Sequence, residues 1–203
     1  QRDIVERLQY CINADPRWSE PVLLLAGMHE RLGDTPRALD VYRQAFAQNP
    51  AAVGIADRLL TALQREGRVA EAEQVLQKMQ ASPQVKSDLN IRMALGLRDL
   101  DRAIEELQVR AVGDSQDARS RIELARLVYE QSGDADRALA YLKEAEALDP
   151  NRRTLAAVRA SILRAEGREQ DAQKVLDAYV TDHNDFTAYW MRGVFLSEVG
   201  QLD

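Results

Sequence analysis

Residues 33–50 read GDTPRALDVYRQAFAQNP, and residues 133–150 read GDADRALAYLKEAEALDP. Both stretches open on a glycine, place an alanine five residues later and close on a proline. The opening glycines belong to a series in which neighbours stand 33 or 34 residues apart within each half of the chain: Gly33 and Gly67, then Gly133, Gly167 and Gly200. A fixed period of this length is typical of stacked structural repeats.

Two further positions recur at a fixed distance from these glycines. The fifth residue after the glycine is always alanine, and the ninth is large and apolar or aromatic: Ala38, Ala72, Ala138 and Ala172, then Tyr42, Leu76, Leu142 and Leu176. Alanine at a fixed point suits a close crossing of two helices, because a longer side chain would hold the backbones apart. The pattern therefore predicts pairs of closely packed helices.

Local signals favour helices throughout. Asp34 can cap a helix that carries Pro36 in its first turn, and Asp134 stands at the equivalent place one hundred residues later. In residues 137–150 the apolar side chains recur at helical spacing with charges between them. Because no segment shows sustained strand alternation, we expect an all-α protein with about twelve helices.

These residues resemble the tetratricopeptide repeat, a helix-turn-helix unit of 34 residues. The resemblance implies a right-handed α-solenoid of antiparallel helix-turn-helix repeats, forming a single superhelical domain over residues 1–203. It predicts five repeats with a half unit at each end: 1–16 as the second helix of a preceding repeat, 17–50, 51–84, 85–115, 116–150 and 151–184 as repeats, and 185–203 as the first helix of a following one.

Two repeats depart from the pattern. Ala72 and Ala103 lie only 31 residues apart, and Gly96 is out of phase with the other turn glycines, so we expect a distorted stack in the third repeat. The stretch EQSGD at residues 130–134 adds a residue before the turn of the fourth repeat and blurs the register of its first helix.

Composition narrows the class of protein. The chain has 203 residues, is 45% hydrophobic and 30% charged, and carries a net charge of −6. These values exclude global disorder. The longest apolar stretch, Val22 to Met28, is far below the roughly 20 residues of a membrane-spanning helix, so we expect no insertion into a membrane. A negative chain also lacks the general attraction for phosphate on which nucleic-acid binding relies.

No residues form a recognisable catalytic or metal-binding pattern. His29 and His183 lie in different repeats, Cys11 has no assignable activating base, and no glycine-rich phosphate loop is present. We therefore expect no enzymatic activity and no cofactor or metal. The single cysteine leaves the compartment open between cytoplasm and bacterial periplasm.

In the tetratricopeptide family the first helices line a concave face on which extended peptides or partner helices lie. Counting from the turn glycines predicts the following partner-binding residues on that face: Leu23, Leu24, Gly27, Arg31, Asp57, Arg58, Thr61, Arg65, Arg92, Ser161, Arg164 and Trp190. The same count adds Ala157 and, with weaker support, Asp88, Glu123 and Leu127.

The arginines in this set have two interpretations. They could form a basic strip that binds carboxylates of a partner, or each could pair with a nearby acid such as Asp57 or Glu30. The lysine and asparagine set with which some repeat domains bind acidic C-termini of chaperones is absent. Its positions are occupied here by Leu23, Gly27, Asp57 and Thr61. A co-chaperone of that kind is not expected.

The function we expect is a non-enzymatic scaffold that binds a partner protein or peptide along the concave groove. The sequence style is similar to bacterial repeat arrays in envelope assembly, secretion or exopolysaccharide export. An alternative is the regulatory or docking arm of a larger enzyme, such as a glycosyltransferase. Gln1 and Asp203 look like cuts in a longer chain, and self-association through an apolar end that includes Tyr189 and Phe195 is a further possibility.

Overall fold

The computed structural model describes residues 2–198 and 200, so the outermost parts of the predicted segments 1–16 and 185–203 lie outside it. The described residues form helices and turns without any strand. The helices are α1 (Arg2–Ala14), α2 (Ser19–Arg31), α3 (Thr35–Gln48), α4 (Val53–Arg65), α5 (Val69–Lys78), α6 (Pro83–Gly96), α7 (Leu100–Gly113), α8 (Ala118–Ser132), α9 (Ala135–Leu148), α10 (Arg153–Ala165), α11 (Glu169–His183) and α12 (Phe186–Glu198). This confirms the predicted all-α class of helix-turn-helix repeats.

The turn glycines have the backbone conformation that their spacing predicts. All five adopt positive φ angles: Gly33 75°, Gly67 68°, Gly133 67°, Gly167 73° and Gly200 69°. Only glycine enters this left-handed region without a steric cost, so it ends one helix and reverses the chain into the next.

Acidic and hydroxyl side chains begin several helices. Asp34 accepts a hydrogen bond from the backbone amide of Arg37 at 3.2 Å, as expected from the sequence. Asp134 accepts one from the amide of Arg137 at 2.9 Å. Such caps satisfy amides that have no partner inside the helix, and each contributes about 1 kcal/mol.

The chain divides into two compact units, residues 1–99 and 100–203. The boundary falls inside the predicted third repeat, 85–115, between α6 and α7. The single domain predicted over 1–203 remains a prediction, and we describe the first unit (α1–α6) and the second unit (α7–α12) separately. We call α2, α4, α6, α8, α10 and α12 the first helices, because each opens a predicted repeat.

The core of the first unit lies between consecutive helices. Val22 and Leu25 of α2, Leu59 and Leu63 of α4, and Met93 of α6 are almost completely buried in one apolar cluster. α4 contacts both α5 and α6, and α2 contacts both α3 and α4. Each helix pair is therefore completed by the next, as expected of repeats that cannot bury an apolar face alone.

The second unit follows the same plan. One apolar cluster joins α8, α9 and α10 around Ile122 and Leu142, and another joins α10, α11 and α12 around Leu176 and Phe195. The four alanines at the fifth position after each turn glycine are all fully buried: Ala38, Ala72, Ala138 and Ala172. Their burial agrees with the predicted close crossing of helices.

The turn of the third repeat is formed by a residue other than glycine. Arg98 has a φ of 57° and occupies the place of the turn glycine after α6. Gly96, which the sequence places out of phase, instead lies where an added Cβ would stand 2.8 Å from the side-chain nitrogen of Gln64. That nitrogen donates a hydrogen bond of 2.7 Å to the carbonyl of Met93, so Gly96 makes room for a contact between α4 and α6.

No helix among the described residues has both the length and the apolar character needed to cross a lipid bilayer.

Candidate functional site

Two adjacent cavities lie along the first helices of the second unit. The larger has a volume of about 420 Å³ and lies between α8 and α10, and the smaller, of about 290 Å³, lies between α10 and α12. Ala157 and Ser161 of α10 line both. We call the two cavities together the second-unit groove. Short side chains at its centre leave room for a bound chain to approach the backbone of α10.

The smaller cavity is mainly apolar. Trp190 and Val194 of α12 form one wall, and Leu176 of α11 and Phe195 of α12 contribute at its base. Trp190 is 62% exposed and stacks with Phe186, their ring centroids 6.3 Å apart. A large exposed indole beside a cavity supplies the contact area on which protein interfaces depend.

Charged side chains around the second-unit groove are paired with one another. Arg126 of α8 lies 2.9 Å from Glu123 and 3.3 Å from Glu130. Arg164 of α10 pairs with Glu198 of α12. The groove therefore offers an apolar surface with a charge-balanced rim.

A tyrosine joins two neighbouring repeats at this groove. The hydroxyl of Tyr129 on α8 donates a hydrogen bond of 2.9 Å to the carboxylate of Glu166, which follows α10. This hydrogen bond raises the pKa of Tyr129, because ionisation would place two negative charges side by side.

Three of the predicted partner-binding residues lie together in the second-unit groove: Ser161, Arg164 and Trp190. Ala157, predicted by the same count, joins them, and Glu123 lies beside them through its pair with Arg126. Leu127 was wrong as a surface residue, because it is fully buried on α8. Its neighbour Arg126 lines the groove instead, since the additional residue in EQSGD shifts the register of α8 by one position.

The remaining predicted residues lie on the first helices of the first unit. Leu24 is 49% exposed on α2, Leu23 and Gly27 are half-buried, and Arg31 folds back to donate to the carbonyl of Gly27 at 3.3 Å. On α4 the hydroxyl of Thr61 donates to the carbonyl of Asp57 at 2.9 Å. Leu24 and Arg31 are therefore the α2 residues of this set that solvent reaches most freely.

The arginines of the first unit differ in their partners. Arg92 of α6 forms an ion pair of 2.5 Å with Asp57 of α4, which matches the alternative interpretation for this arginine, as the pair of Arg164 with Glu198 does in the second unit. Arg58 and Arg65 of α4 are exposed, and neither forms an ion pair with a carboxylate of the described residues.

Arg58 and Arg65 lie near the hydroxyl of Tyr42, which is almost fully buried on α3. Burial and the adjacent Glu30 of α2 raise the pKa of Tyr42 to about 12, while the two arginines act in the opposite direction. The phenol is therefore protonated at neutral pH and hydrogen-bonds to the Glu30 carboxylate.

Two residues noted in the sequence, Cys11 and His183, take ordinary structural places. Cys11 is half-buried on α1. His183 is the last residue of α11 and stacks on Tyr179 at a ring-centroid distance of 3.9 Å. Within residues 2–198 and 200, no three or more His, Cys, Asp or Glu side chains gather in a way that could hold a metal ion.

The helices and turns of the described residues define a helical-repeat protein. Two family models, both described as tetratricopeptide repeat, match the chain: one over residues 24–85 and 91–153, the other over 129–191. The chain belongs to the tetratricopeptide repeat family, as the sequence resemblance indicated.

Solved structures of similar fold include a tetratricopeptide repeat protein from Parabacteroides merdae, with a TM-score of 0.60, 13% identity, and coverage of 90% of this chain and 73% of that one. PilW, described as a type IV pilus biogenesis factor, aligns with a TM-score of 0.57 and 19% identity over 88% of this chain and 84% of its own. MamA from Desulfovibrio magneticus aligns with a TM-score of 0.55 and 15% identity over 82% and 94%. At these identities the likeness concerns the fold alone.

A search of curated proteins finds no match.

Proposed function

We propose that this protein is a non-enzymatic scaffold that binds a segment of a partner protein in the second-unit groove. Repeats of this family typically act as non-catalytic scaffolds for protein interactions. The observation that carries the proposal is the pair of adjoining cavities that meet at Ala157 and Ser161. A continuous groove along three first helices fits a short length of polypeptide better than it fits a single small molecule.

The chemistry of the groove indicates what such a segment carries. Trp190, Val194 and Phe195 favour an aliphatic or aromatic side chain of the partner in the smaller cavity. The charges at the rim are already paired, through Arg126 and through Arg164, so a net charge on the partner gains little here. Affinity for the segment should therefore come mainly from apolar burial.

A matched pair of substitutions tests the groove. Peptides of about 12 random residues are selected on the intact chain, and affinities of the selected peptides are measured for Ala157→Arg and for Ala178→Arg. Both alanines are exposed on helices, but Ala157 lies in the groove and Ala178 lies on α11, outside both cavities. We expect Ala157→Arg to weaken binding about tenfold or more by filling the groove, and Ala178→Arg to leave it unchanged.

Equal binding by both variants would overturn the proposal and place the interaction elsewhere on the chain. Circular dichroism of both variants checks that helicity is retained. Selected peptides that share no apolar residue would contradict the chemistry inferred from Trp190 and Val194.

The pathway that the scaffold serves remains a prediction. Sequence style favours a bacterial envelope assembly, secretion or exopolysaccharide system, and the alternative is the docking arm of a larger enzyme such as a glycosyltransferase. Mass spectrometry of proteins captured by the wild type and lost by Ala157→Arg tests the first interpretation, and the full-length coding sequence tests the second. An envelope component supports the first, and a catalytic domain encoded on the same chain supports the second.

A further inference from the structure

The first helices of the first unit carry a pair of arginines that the second-unit groove does not involve. Arg58 and Arg65 stand two helical turns apart on α4, so their Cα atoms are separated by about 10 Å along the helix axis. Both side chains are exposed, and both lie within electrostatic range of the Tyr42 hydroxyl.

The nearby acidic groups already have other partners. The carboxylate of Glu30 takes the hydrogen bond of Tyr42, and the carboxylate of Asp57 pairs with Arg92 at 2.5 Å. Neither acid forms an ion pair with Arg58 or Arg65. These two guanidinium groups therefore keep their hydrogen-bond donors available, whereas Arg126 and Arg164 in the second unit are each paired with glutamate.

We propose that Arg58 and Arg65 form a binding site for an acidic segment of a partner polypeptide. A guanidinium group binds a carboxylate through two parallel hydrogen bonds, and such a charge-assisted pair is stronger than a hydrogen bond between neutral groups. In a polyproline II segment, acidic side chains three residues apart lie on the same side of the chain and about 9 Å apart, close to the separation of the arginines along α4.

The net charge of the chain is opposite in sign to the charge of this site. With a net charge of −6 the protein repels a polyanion in general, so binding of an acidic peptide requires a specific cationic place. The proposal rests on residues of the first unit alone. It does not depend on the groove between α8, α10 and α12.

The experiment measures binding of fluorescently labelled hexaglutamate to the full chain by anisotropy at low ionic strength, with hexaglutamine as the neutral probe. The test variant is Arg58→Gln/Arg65→Gln. The matched control is Arg17→Gln/Arg37→Gln, which removes the same charge from exposed arginines of the first unit, one before α2 and one at the start of α3. Arg58→Lys/Arg65→Lys keeps the charge but loses the paired hydrogen bonds.

We expect the wild type and the control to bind hexaglutamate equally and the test variant to bind about tenfold more weakly, with the lysine variant between them. Hexaglutamine should not bind. Binding should weaken several-fold when ionic strength rises from about 0.05 M to about 0.3 M, because exposed charges are screened over that range.

Three results would overturn the proposal. They are no binding of hexaglutamate, equal weakening in the test and control variants, and complete competition by inorganic phosphate at the same concentration of charge, which would indicate a site for small anions. Ala157→Arg should leave hexaglutamate binding unchanged, so failure of this site and failure of the groove are distinguished. Because Arg58 and Arg65 are exposed, all variants should keep wild-type helicity.

Discussion

The first helices of the two units are built on one repeat pattern but carry different chemistry. On α4 of the first unit, Arg58 and Arg65 have no carboxylate partner among the described residues, and the nearby acids are held by Tyr42 and Arg92. On α10 and α12 of the second unit, the charge of Arg164 is paired and the surface is dominated by an exposed tryptophan and two cavities.

This difference shows which repeat positions determine the fold and which are free to vary. The buried alanines and the turn glycines are the same in both units, because a helix crossing and a chain reversal accept few other residues. The exposed positions of the first helices are free to differ, so α4 carries Arg58 and Arg65 and α12 carries Trp190. Membership of the family therefore determines the fold, while the exposed residues of each unit determine which ligand it binds.

The largest effect we expect is the loss of stability on substitution of Leu127 of α8, compared with its exposed neighbour Arg126. Leu127→Ala should destabilise the protein by about 2–5 kcal/mol, because the leucine is fully buried and its removal leaves a cavity. Arg126→Ala should change stability by less than about 1 kcal/mol, because it removes only exposed ion pairs, and should alter binding of groove peptides. Urea unfolding and peptide affinity measure the two effects.

If instead Leu127→Ala changed peptide affinity at unaltered stability, the register of α8 would be the one counted from Gly133. Leu127 would then line the second-unit groove in place of Arg126, which would change the comparison between this groove and the surface of α4 that carries Arg58 and Arg65.

The next effect compares the turn after α6 in the first unit with the turn after α8 in the second. Arg98 adopts a φ of 57°, in the region where Gly133 has 67°. A side chain in this region costs about 1–2 kcal/mol, part of which the greater freedom of glycine in the unfolded chain offsets. Arg98→Gly should therefore stabilise the protein by up to about 1 kcal/mol, and Gly133→Ala should destabilise it by about 1 kcal/mol or more.

Thermal unfolding of both variants checks these opposite signs. Arg98→Ala serves as the control, because it removes the charge and keeps the backbone strain. Stabilisation by Arg98→Ala equal to that by Arg98→Gly would attribute the gain to charge and contradict the role given to the left-handed turn.

The two turns also show what could be predicted from the sequence. Wherever glycine marks a turn, the period gave the helices and the buried alanines in advance. The turn at Arg98 carried no such signal, because an arginine in the left-handed region cannot be distinguished from any other arginine in a sequence. Gly96 was misleading for the opposite reason, since its function is to accommodate the Gln64 side chain of a neighbouring helix.

The candidate sites were less predictable than the fold. Ser161, Arg164 and Trp190 were expected on the groove, but the cavities depend on side chains from α8, α10, α11 and α12 that only the folded chain brings together. Because of the single additional residue in α8, Arg126 lines the groove where the sequence predicted Leu127. The pairing of Asp57 with Arg92 was foreseen as an alternative, whereas the hydrogen bond of Tyr42 to Glu30 was not.

The smallest effect concerns an ion pair between helices in each unit. Arg43 of α3 donates to Glu71 of α5 at 2.6 Å, and Arg159 of α10 donates to Glu146 of α9 at 2.8 Å. In each case the hydrogen bond from arginine holds the pKa of the glutamate below its ordinary value of 4.5. A lowered pKa in the folded state means that the pair stabilises the protein above that ordinary pKa and loses its contribution as pH falls through the lowered value.

Glu71→Gln should therefore destabilise the protein by up to about 1 kcal/mol at pH 7 and by less at pH 3. Glu146→Gln should show the same pH dependence with a smaller amplitude, because the side chain of Glu146 is 45% exposed and that of Glu71 is 26% exposed. Urea unfolding of both variants and the wild type between these pH values measures the difference. A larger loss at pH 3 than at pH 7 would reverse the sign and contradict the lowered pKa, and equal amplitudes would show that exposure does not distinguish the ion pairs of the two units.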